Sequence, residues 1–142
     1  MAKTTIKSHT HFYKTKTTTE ALSMNRYSVW HYRVRSQYKK DYVVKMFDEI
    51  KSLPVFVNRV DVTFQMARND KRSSDKSNFY SVISKFLFDG ITQAGKWIDD
   101  NDKVIRNETI LETLYDKDAE SCYCLITFEE TDEAVLTKLK DK

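Results

Sequence analysis

Acidic side chains stand at both ends of one predicted helix in the middle of the chain. Asp75 precedes this helix, and the pair Asp99 and Asp100 follows it. Carboxylate oxygens are the ligands that Mg²⁺ prefers, and one or two of them suffice beside water and phosphate. Lys85 lies within the helix, where an ammonium group can stabilise charge on a phosphate during bond cleavage. These residue types can carry out metal-assisted chemistry on a phosphodiester if they meet.

The length of the helix keeps Asp75 away from Asp99 and Asp100. A helix from about Asn78 to Ala94 holds its two ends roughly 25 Å apart at about 1.5 Å per residue. The carboxylates share one cation only if the helix begins later than Asn78 or if the flanking loops fold back along it. Otherwise Asp75 is a helix-capping residue, and Asp99 and Asp100 form a solvated turn.

The apolar pattern predicts the elements that position these residues. One long helix covers Trp30–Leu53, where apolar residues recur every four positions, and Pro54 ends it. The second helix covers Asn78–Ala94, with Ser77 or Asn78 as its cap, and Gly95 ends it. Strands are predicted over Val57–Met66, Lys103–Leu111 and Cys122–Glu129.

The order of these elements favours an α+β fold, in which a small mixed β-sheet is packed by two main helices. The 142 residues fit a single domain over 1–142. We expect the ends, 1–20 and 131–142, to be partly disordered, with a short weak helix or a frayed end from Thr131.

Composition excludes several classes of protein. Two glycines and one proline are too few for a collagen-like or proline-rich chain. No apolar run approaches the roughly 20 residues that cross a bilayer, so we expect no membrane partner and a cytoplasmic location. We expect Cys122 and Cys124 to be two reduced, buried thiols rather than a disulfide or a zinc site.

Charge is distributed unevenly along the chain. Residues 1–80 carry 16 basic and 7 acidic residues, whereas residues 81–142 carry 8 basic and 14 acidic residues. This asymmetry is typical of a basic surface for phosphates beside an acidic patch for a metal or a partner. A solvated surface without a partner is the alternative, because folding can interleave the two halves.

Four segments stand out together. They are Leu22–Tyr27 before a basic helix, Asp75–Asn78, Lys85–Asp89 with a lysine four residues before an aspartate, and Ala94–Asp100 with a small-Gly turn before an Asp-Asp pair. Together they resemble the RusA-like Holliday junction resolvases: the first is similar to the N-terminal signature of that family, and the other three are similar to its core pattern, which begins with an Asp-x-Asp-Asn element. The likeness spans about Leu22 to Ile105.

The resemblance implies a phage- or prophage-type endonuclease that acts as a homodimer on branched DNA such as four-way junctions, with Mg²⁺ or Mn²⁺, in the cytoplasm of a bacterial host. It implies Asp75, Lys85 and Asp100 as catalytic residues and Asp75, Asp99 and Asp100 as metal ligands. Asn78 would hold the geometry of the loop. The basic residues that would contact the DNA backbone are Arg26, Arg33, Arg35, Lys39, Lys40, Lys71 and Arg72.

One position departs from the family pattern. Ser77 stands where the family has its second aspartate, and a hydroxyl adds no negative charge to a metal site. A nuclease for branched DNA and a branched-DNA binding protein that no longer cuts are therefore both open. The acidic second half leaves a third alternative, a phage accessory protein that binds a host protein.

Overall fold

The computed structural model describes residues 3–13, 19–71 and 76–141, and it confirms the predicted α+β fold. The strands are β1 (Lys3–His9), β2 (His11–Tyr13), β3 (Thr19–Ala21), β4 (Asn58–Arg68), β5 (Ile105–Ile110), β6 (Leu114–Tyr115) and β7 (Tyr123–Ala134). The helices are α1 (Met24–Tyr27), α2 (Tyr32–Lys45), α3 (Phe47–Ser52) and α4 (Lys76–Gln93).

The main sheet is mixed and has β4 near its middle. Its strands follow the order β1-β7-β4-β5, and β6 also pairs with β4, while β2 and β3 form a separate hairpin. β7 runs antiparallel to β1 and β4, whereas β5 and β6 run parallel to β4. A parallel pair needs a crossover connection, and α4 provides it between β4 and β5. Consequently α4 starts near the carboxyl end of β4 and finishes near the amino end of β5.

Alternation along β4 sets the core face of the sheet. Val60, Val62, Phe64 and Met66 are buried, whereas Asp61, Thr63 and Gln65 on the other face are only half-buried. This confirms the half-buried strand predicted from the alternating pattern. The apolar face of α4 packs on the core side through Val82, Ile83, Phe86, Leu87 and Ile91, all buried as well.

The prediction of one long helix over Trp30–Leu53 is wrong in one respect. The chain forms two helices there, α2 and α3, which are separated by a break at Met46. Met46 has φ −91° and ψ 8°, and α3 begins directly after it. Tyr42, Met46 and Ile50 are nonetheless all buried, so the break keeps their side chains on the core. Val34, at the start of the predicted stripe, is instead 37% exposed.

The start of α4 differs from the prediction, whereas its end agrees with it. The helix begins at Lys76, so Ser77 and Asn78 lie inside its first turn and the predicted cap at these residues is wrong. The side chain of Asn78 accepts a hydrogen bond from the backbone N–H of Asn25 (3.1 Å), which joins the helix start to α1. Gly95 follows the helix with φ 74°, a left-handed conformation that suits glycine and ends the helix as predicted.

The C-terminal strand is longer than predicted. β7 continues through Thr131 to Ala134, where the sequence suggested a short helix or a frayed end. Pairing with β4, in which Asn58 lies opposite Ala134, supports this extension, and the local pattern did not reveal it. Within the described ranges, no helix has both the length and the apolar character that crossing a bilayer requires.

The two cysteines are free, as predicted, but differ in burial. Cys124 is fully buried in β7, and Cys122 is half-buried. Burial raises the pKa of the Cys124 thiol from about 9 to about 12. A group whose pKa is higher in the folded protein stabilises the fold fully below its unfolded pKa, and this stability is lost as the pH rises through the folded pKa.

We therefore expect the free energy of unfolding to fall between about pH 9 and pH 12. In the Cys124→Ala variant it should fall less steeply, because the remaining titrating groups are unchanged and this thiol is gone. Urea unfolding at a series of pH values measures both slopes. Equal slopes for the two proteins would contradict a buried thiol that resists ionisation.

Candidate catalytic loop and basic cleft

The loop after α4 presents two neighbouring carboxylates, Asp99 and Asp100, here called the acid pair. Trp97 anchors the loop: its ring is 3% exposed, and its indole N–H donates to the Thr92 hydroxyl (2.7 Å). The Phe56 N–H donates to the carbonyl of Lys96 (2.7 Å), which ties the loop to the segment before β4. A rigid anchor therefore stands directly before the acid pair.

Hydrogen bonds within the loop fix the carboxylate of Asp99. It accepts from the backbone N–H of Asp100 (2.8 Å) and from the Asn101 side-chain amide (3.1 Å). The Asp100 N–H holds the pKa of Asp99 below its ordinary value, because it stabilises the charged form. The hydrogen bonds of the loop therefore stabilise the charged form of Asp99.

The pKa of Asp100 is shifted in the opposite direction. Partial loss of solvent around its carboxyl group raises the pKa of Asp100, and the hydrogen bond with Asp99 raises it further. The charge of Asp89 adds to this upward shift, so Asp89 shares the electrostatic environment of the acid pair. Two carboxyl groups with opposed shifts and a third acid nearby form a site that a cation would neutralise.

Two lysines lie beside the second half of α4. The Lys39 ammonium of α2 forms an ion pair with Asp89 (2.7 Å). Lys85 is exposed and lies one helical turn before Asp89 on α4. The exposed position of Lys85 leaves its ammonium accessible to a phosphate.

The start of α4 lies far from the acid pair. The 18 residues of α4 span about 27 Å at 1.5 Å per residue. Since the helix begins at Lys76, the first condition for a meeting of its two ends, a start later than Asn78, is not met. Asp75 itself lies outside the described residues, so its role as a metal ligand and catalytic residue stays a prediction.

The described residues offer few ligands for a metal ion. No three His, Cys, Asp or Glu side chains within residues 3–13, 19–71 and 76–141 are grouped so that they could hold a metal ion. The acid pair alone still matches the chemistry of Mg²⁺, which is commonly held by one or two carboxylates together with water and phosphate. Asp99 and Asp100 are thus the residues of the described chain that fit this ion.

The predicted DNA-contacting residues differ in exposure and in their contacts within the chain. Arg35 donates to the carbonyls of Tyr27 and Trp30 (both 3.0 Å), and its guanidinium lies over the Tyr27 ring (4.4 Å). Arg35 therefore secures the turn between α1 and α2. Lys39 is paired with Asp89, as described above.

The remaining candidates are exposed but lie in different regions. Arg26 of α1 and Arg33 and Lys40 of α2 are exposed near one another in the chain. Lys71 is also exposed, and its ammonium lies 5.3 Å from the centre of the Tyr115 ring, near the carboxyl end of β4. Arg72 lies outside the described residues.

A cleft of about 260 Å³ opens between α1, α2 and α4. We call it the basic cleft; it is lined by Tyr27, Tyr32, Arg35, Ser36, Lys39 and Phe86. Tyr32 is 64% exposed, and its hydroxyl accepts from the Arg33 side chain (3.3 Å). The exposed Tyr32 ring offers a face on which a base can stack, whereas the two cations of the cleft, Arg35 and Lys39, are engaged within the chain.

Sequence reasoning missed Tyr27 and Tyr32 as functional candidates. The available signal was the alternation of aromatic and basic residues from Tyr27 to Arg35. Phe86 and Trp97, by contrast, are buried as the sequence predicted.

No protein-family model matches the chain, and no curated protein matches it.

Proposed function

We propose that the chain is a metal-dependent nuclease for branched DNA that acts as a homodimer. The observation that carries the proposal is the acid pair, which follows the Trp97 anchor after the C-terminal end of α4 and lies in the electrostatic field of Asp89. Carboxylates and lysines are the two kinds of group that phosphodiester hydrolysis uses, for a cation and for the charge of the phosphate, and Lys85 of α4 is exposed. The exposed residues Arg26, Arg33 and Lys40, together with the exposed ring of Tyr32, support a nucleic-acid substrate.

The acid pair would hold Mg²⁺, which when bound activates water and neutralises charge on the phosphate. The Lys85 ammonium would offset the negative charge that develops on the phosphate oxygens. Lys39 would restrain Asp89 through their ion pair and keep this third carboxylate from competing for the phosphate site. Tyr32 and Arg33 would orient the strand in the basic cleft.

Ser77 favours a second candidate, a branched-DNA binding protein that no longer cuts. The family that the sequence resembles has an aspartate there, and this serine is exposed in the first turn of α4. Without that charge the start of α4 offers one carboxylate fewer to a cation. Such a protein would bind a junction through the same basic surface and leave it intact.

A labelled four-way junction incubated with the folded protein and Mg²⁺ or Mn²⁺ separates the candidates. Paired nicks support the nuclease. Salt-sensitive binding without nicks supports the second candidate, and Ser77→Asp should then create or raise cleavage. No junction affinity even at low salt would contradict both and favour the accessory protein that binds a host protein.

The exposed basic residues of α2 lead to a separate prediction. Arg33→Ala and Lys40→Ala should each weaken junction binding and lower the slope of log affinity against log salt by about one, because each removes one phosphate contact. Fluorescence anisotropy over a salt series measures the slope. Lys3→Ala is the matched control, since Lys3 is exposed on β1 and pairs with Glu129. An equal loss in all three variants would contradict a DNA surface on α2.

A further inference from the structure

An open groove of about 480 Å³ lies where α2 and α3 cross α4. We call it the apolar groove. Val43, Phe47 and Ile50 of α2 and α3 line one wall, and Gly90 and Ala94, at the end of α4 and just after it, line the other. A Cβ atom at Gly90 would lie 3.0 Å from Val43 and 3.1 Å from Ile50. The glycine therefore lets the two walls approach closely at the floor of the groove.

The walls of the apolar groove leave carbon atoms in contact with water. The Phe47 side chain is 58% exposed, and Ala94 is exposed on the opposite wall. Covering apolar surface of this kind stabilises a complex by removing it from water. The walls therefore favour an occupant with apolar side chains.

The polar residues of the lining are placed where α3 and α4 both finish. Lys51 is in the last turn of α3, Gln93 is the last residue of α4, and Lys96 follows in the next loop. The Lys96 ammonium donates to the carbonyl of Lys51 (3.2 Å). The Lys51 ammonium lies 5.9 Å from the centre of the Phe47 ring. Two cations thus border one end of the apolar groove.

These two cations have no anionic partner within the part of the chain that the structure describes. The ion pairs of residues 3–13, 19–71 and 76–141 include neither Lys51 nor Lys96. The described lining of the groove likewise contains no acidic residue. A carboxylate on the occupant would complement this charge, and the apolar walls would strengthen the pairing by excluding water.

We propose that the apolar groove binds an amphipathic helix of another protein that carries an acidic residue beside its apolar face. Apolar side chains spaced at i, i+3 or i+4, and i+7 would enter between the walls. The acidic residue would meet Lys51 and Lys96. Small ligands are mostly enclosed by their pockets, whereas this groove leaves Phe47 more than half exposed. Its described lining contains no strand residue that could pair with an extended peptide.

The inference is independent of the nuclease proposal. Neither residue of the acid pair lines the apolar groove, and the apolar groove and the basic cleft share no lining residue. Peptide binding is also measured without DNA, so either proposal can fail while the other stands.

A peptide library displayed on phage is the probe for the apolar groove. Its members are helical peptides of about 16 residues, a length at which helices become stable in water, with one face and its borders randomised. Selection on the full chain should enrich apolar residues at helical spacing beside an Asp or Glu. Phe47→Ala should weaken binding of the synthetic consensus peptide about tenfold or more in fluorescence anisotropy, because it removes much of one wall.

A charge exchange tests the lysine end of the groove. Lys51→Glu should weaken binding of the consensus peptide about tenfold or more, because it sets two acidic groups against each other. A peptide with Lys in place of its acidic residue should bind Lys51→Glu more tightly than it binds the wild-type protein. Lys117→Glu is the matched control, since Lys117 is exposed between β6 and β7 and outside the lining. Equal losses in Lys51→Glu and Lys117→Glu would contradict a site at the groove.

The remaining outcomes each overturn the proposal. They are a selection without enriched peptides, a consensus without an acidic residue, and a peptide that Phe47→Ala and Lys51→Glu bind as tightly as the wild-type protein does. Dodecanoate that shifts the amide NMR signals of Val43 and Ala94 while no peptide binds would make the groove a site for an anionic amphiphile. A dimer that Phe47→Ala dissociates in sedimentation equilibrium, again without peptide binding, would place a second copy there.

Discussion

Asp100→Asn should reduce junction cleavage on the order of 100-fold or more, because loss of even an indirect support of a metal ligand costs about 10- to 100-fold. The substitution keeps the size of the side chain and removes its negative charge. Junction binding should stay at the wild-type level, since Asp100 repels rather than attracts phosphate. Cleavage rates and anisotropy on the same junction measure the two effects separately.

Asp102→Asn is the matched control for this experiment. Asp102 is exposed in the same loop, and the contact it makes with Arg59 uses its backbone carbonyl (2.9 Å) rather than its carboxylate. Unchanged cleavage in Asp100→Asn, or an equal loss in Asp102→Asn, would remove the acid pair from the reaction.

A second readout does not depend on cleavage. Mn²⁺ should broaden the amide NMR signals around residues 96–102 in the wild-type protein, and Asp100→Asn should abolish most of this effect. Because the pKa of Asp100 is raised, its carboxyl group takes up a proton at a higher pH than an ordinary aspartate. Cation binding should therefore weaken on acidification before an isolated aspartate pair would lose its charge.

Trp97→Ala should lower the free energy of unfolding by about 3–5 kcal/mol, the usual cost of removing a buried tryptophan. The indole packs against Phe88 (ring centres 5.3 Å apart), Phe128 (6.0 Å) and Phe56 (6.3 Å). Its removal leaves a cavity between α4 and the sheet. Urea unfolding followed by far-UV circular dichroism measures the loss.

Two further variants divide this effect into its causes. Trp97→Phe keeps most of the buried area but loses the hydrogen bond to Thr92, so it should cost about 1 kcal/mol. Ile98→Ala is the control, because the neighbouring Ile98 is 76% exposed, and it should change stability by less than about 0.5 kcal/mol. A loss for Trp97→Ala no larger than for Ile98→Ala would mean that Trp97 does not anchor the loop.

The local pattern was sufficient for the elements that have one face on the core. The alternation along β4 and the stripe along α4 repeat with the periods of a strand and a helix, so their burial follows from sequence alone. Gly95 likewise ended α4 where the sequence predicted. Lys85, Asp99 and Asp100 became candidates through the resemblance to the resolvases, because a surface lysine and a solvated turn account equally well for their residue types and spacing.

Other features depended on partners that are distant in sequence. β7 extends to Ala134 because β4 pairs with it there, and β6 forms by pairing with Ala67 and Arg68. The break at Met46 keeps Tyr42 and Ile50 on the core, which a uniform helical period did not anticipate.

The sequence by itself determined the α+β class and the two core-facing elements β4 and α4. Only the tertiary structure decided that the charge of Asp89 acts on Asp100 and that Lys39 and Arg35 are occupied within the chain. The reason is physical: local periodicity reports which face of an element is buried, whereas electrostatic partners are set by which elements pack together.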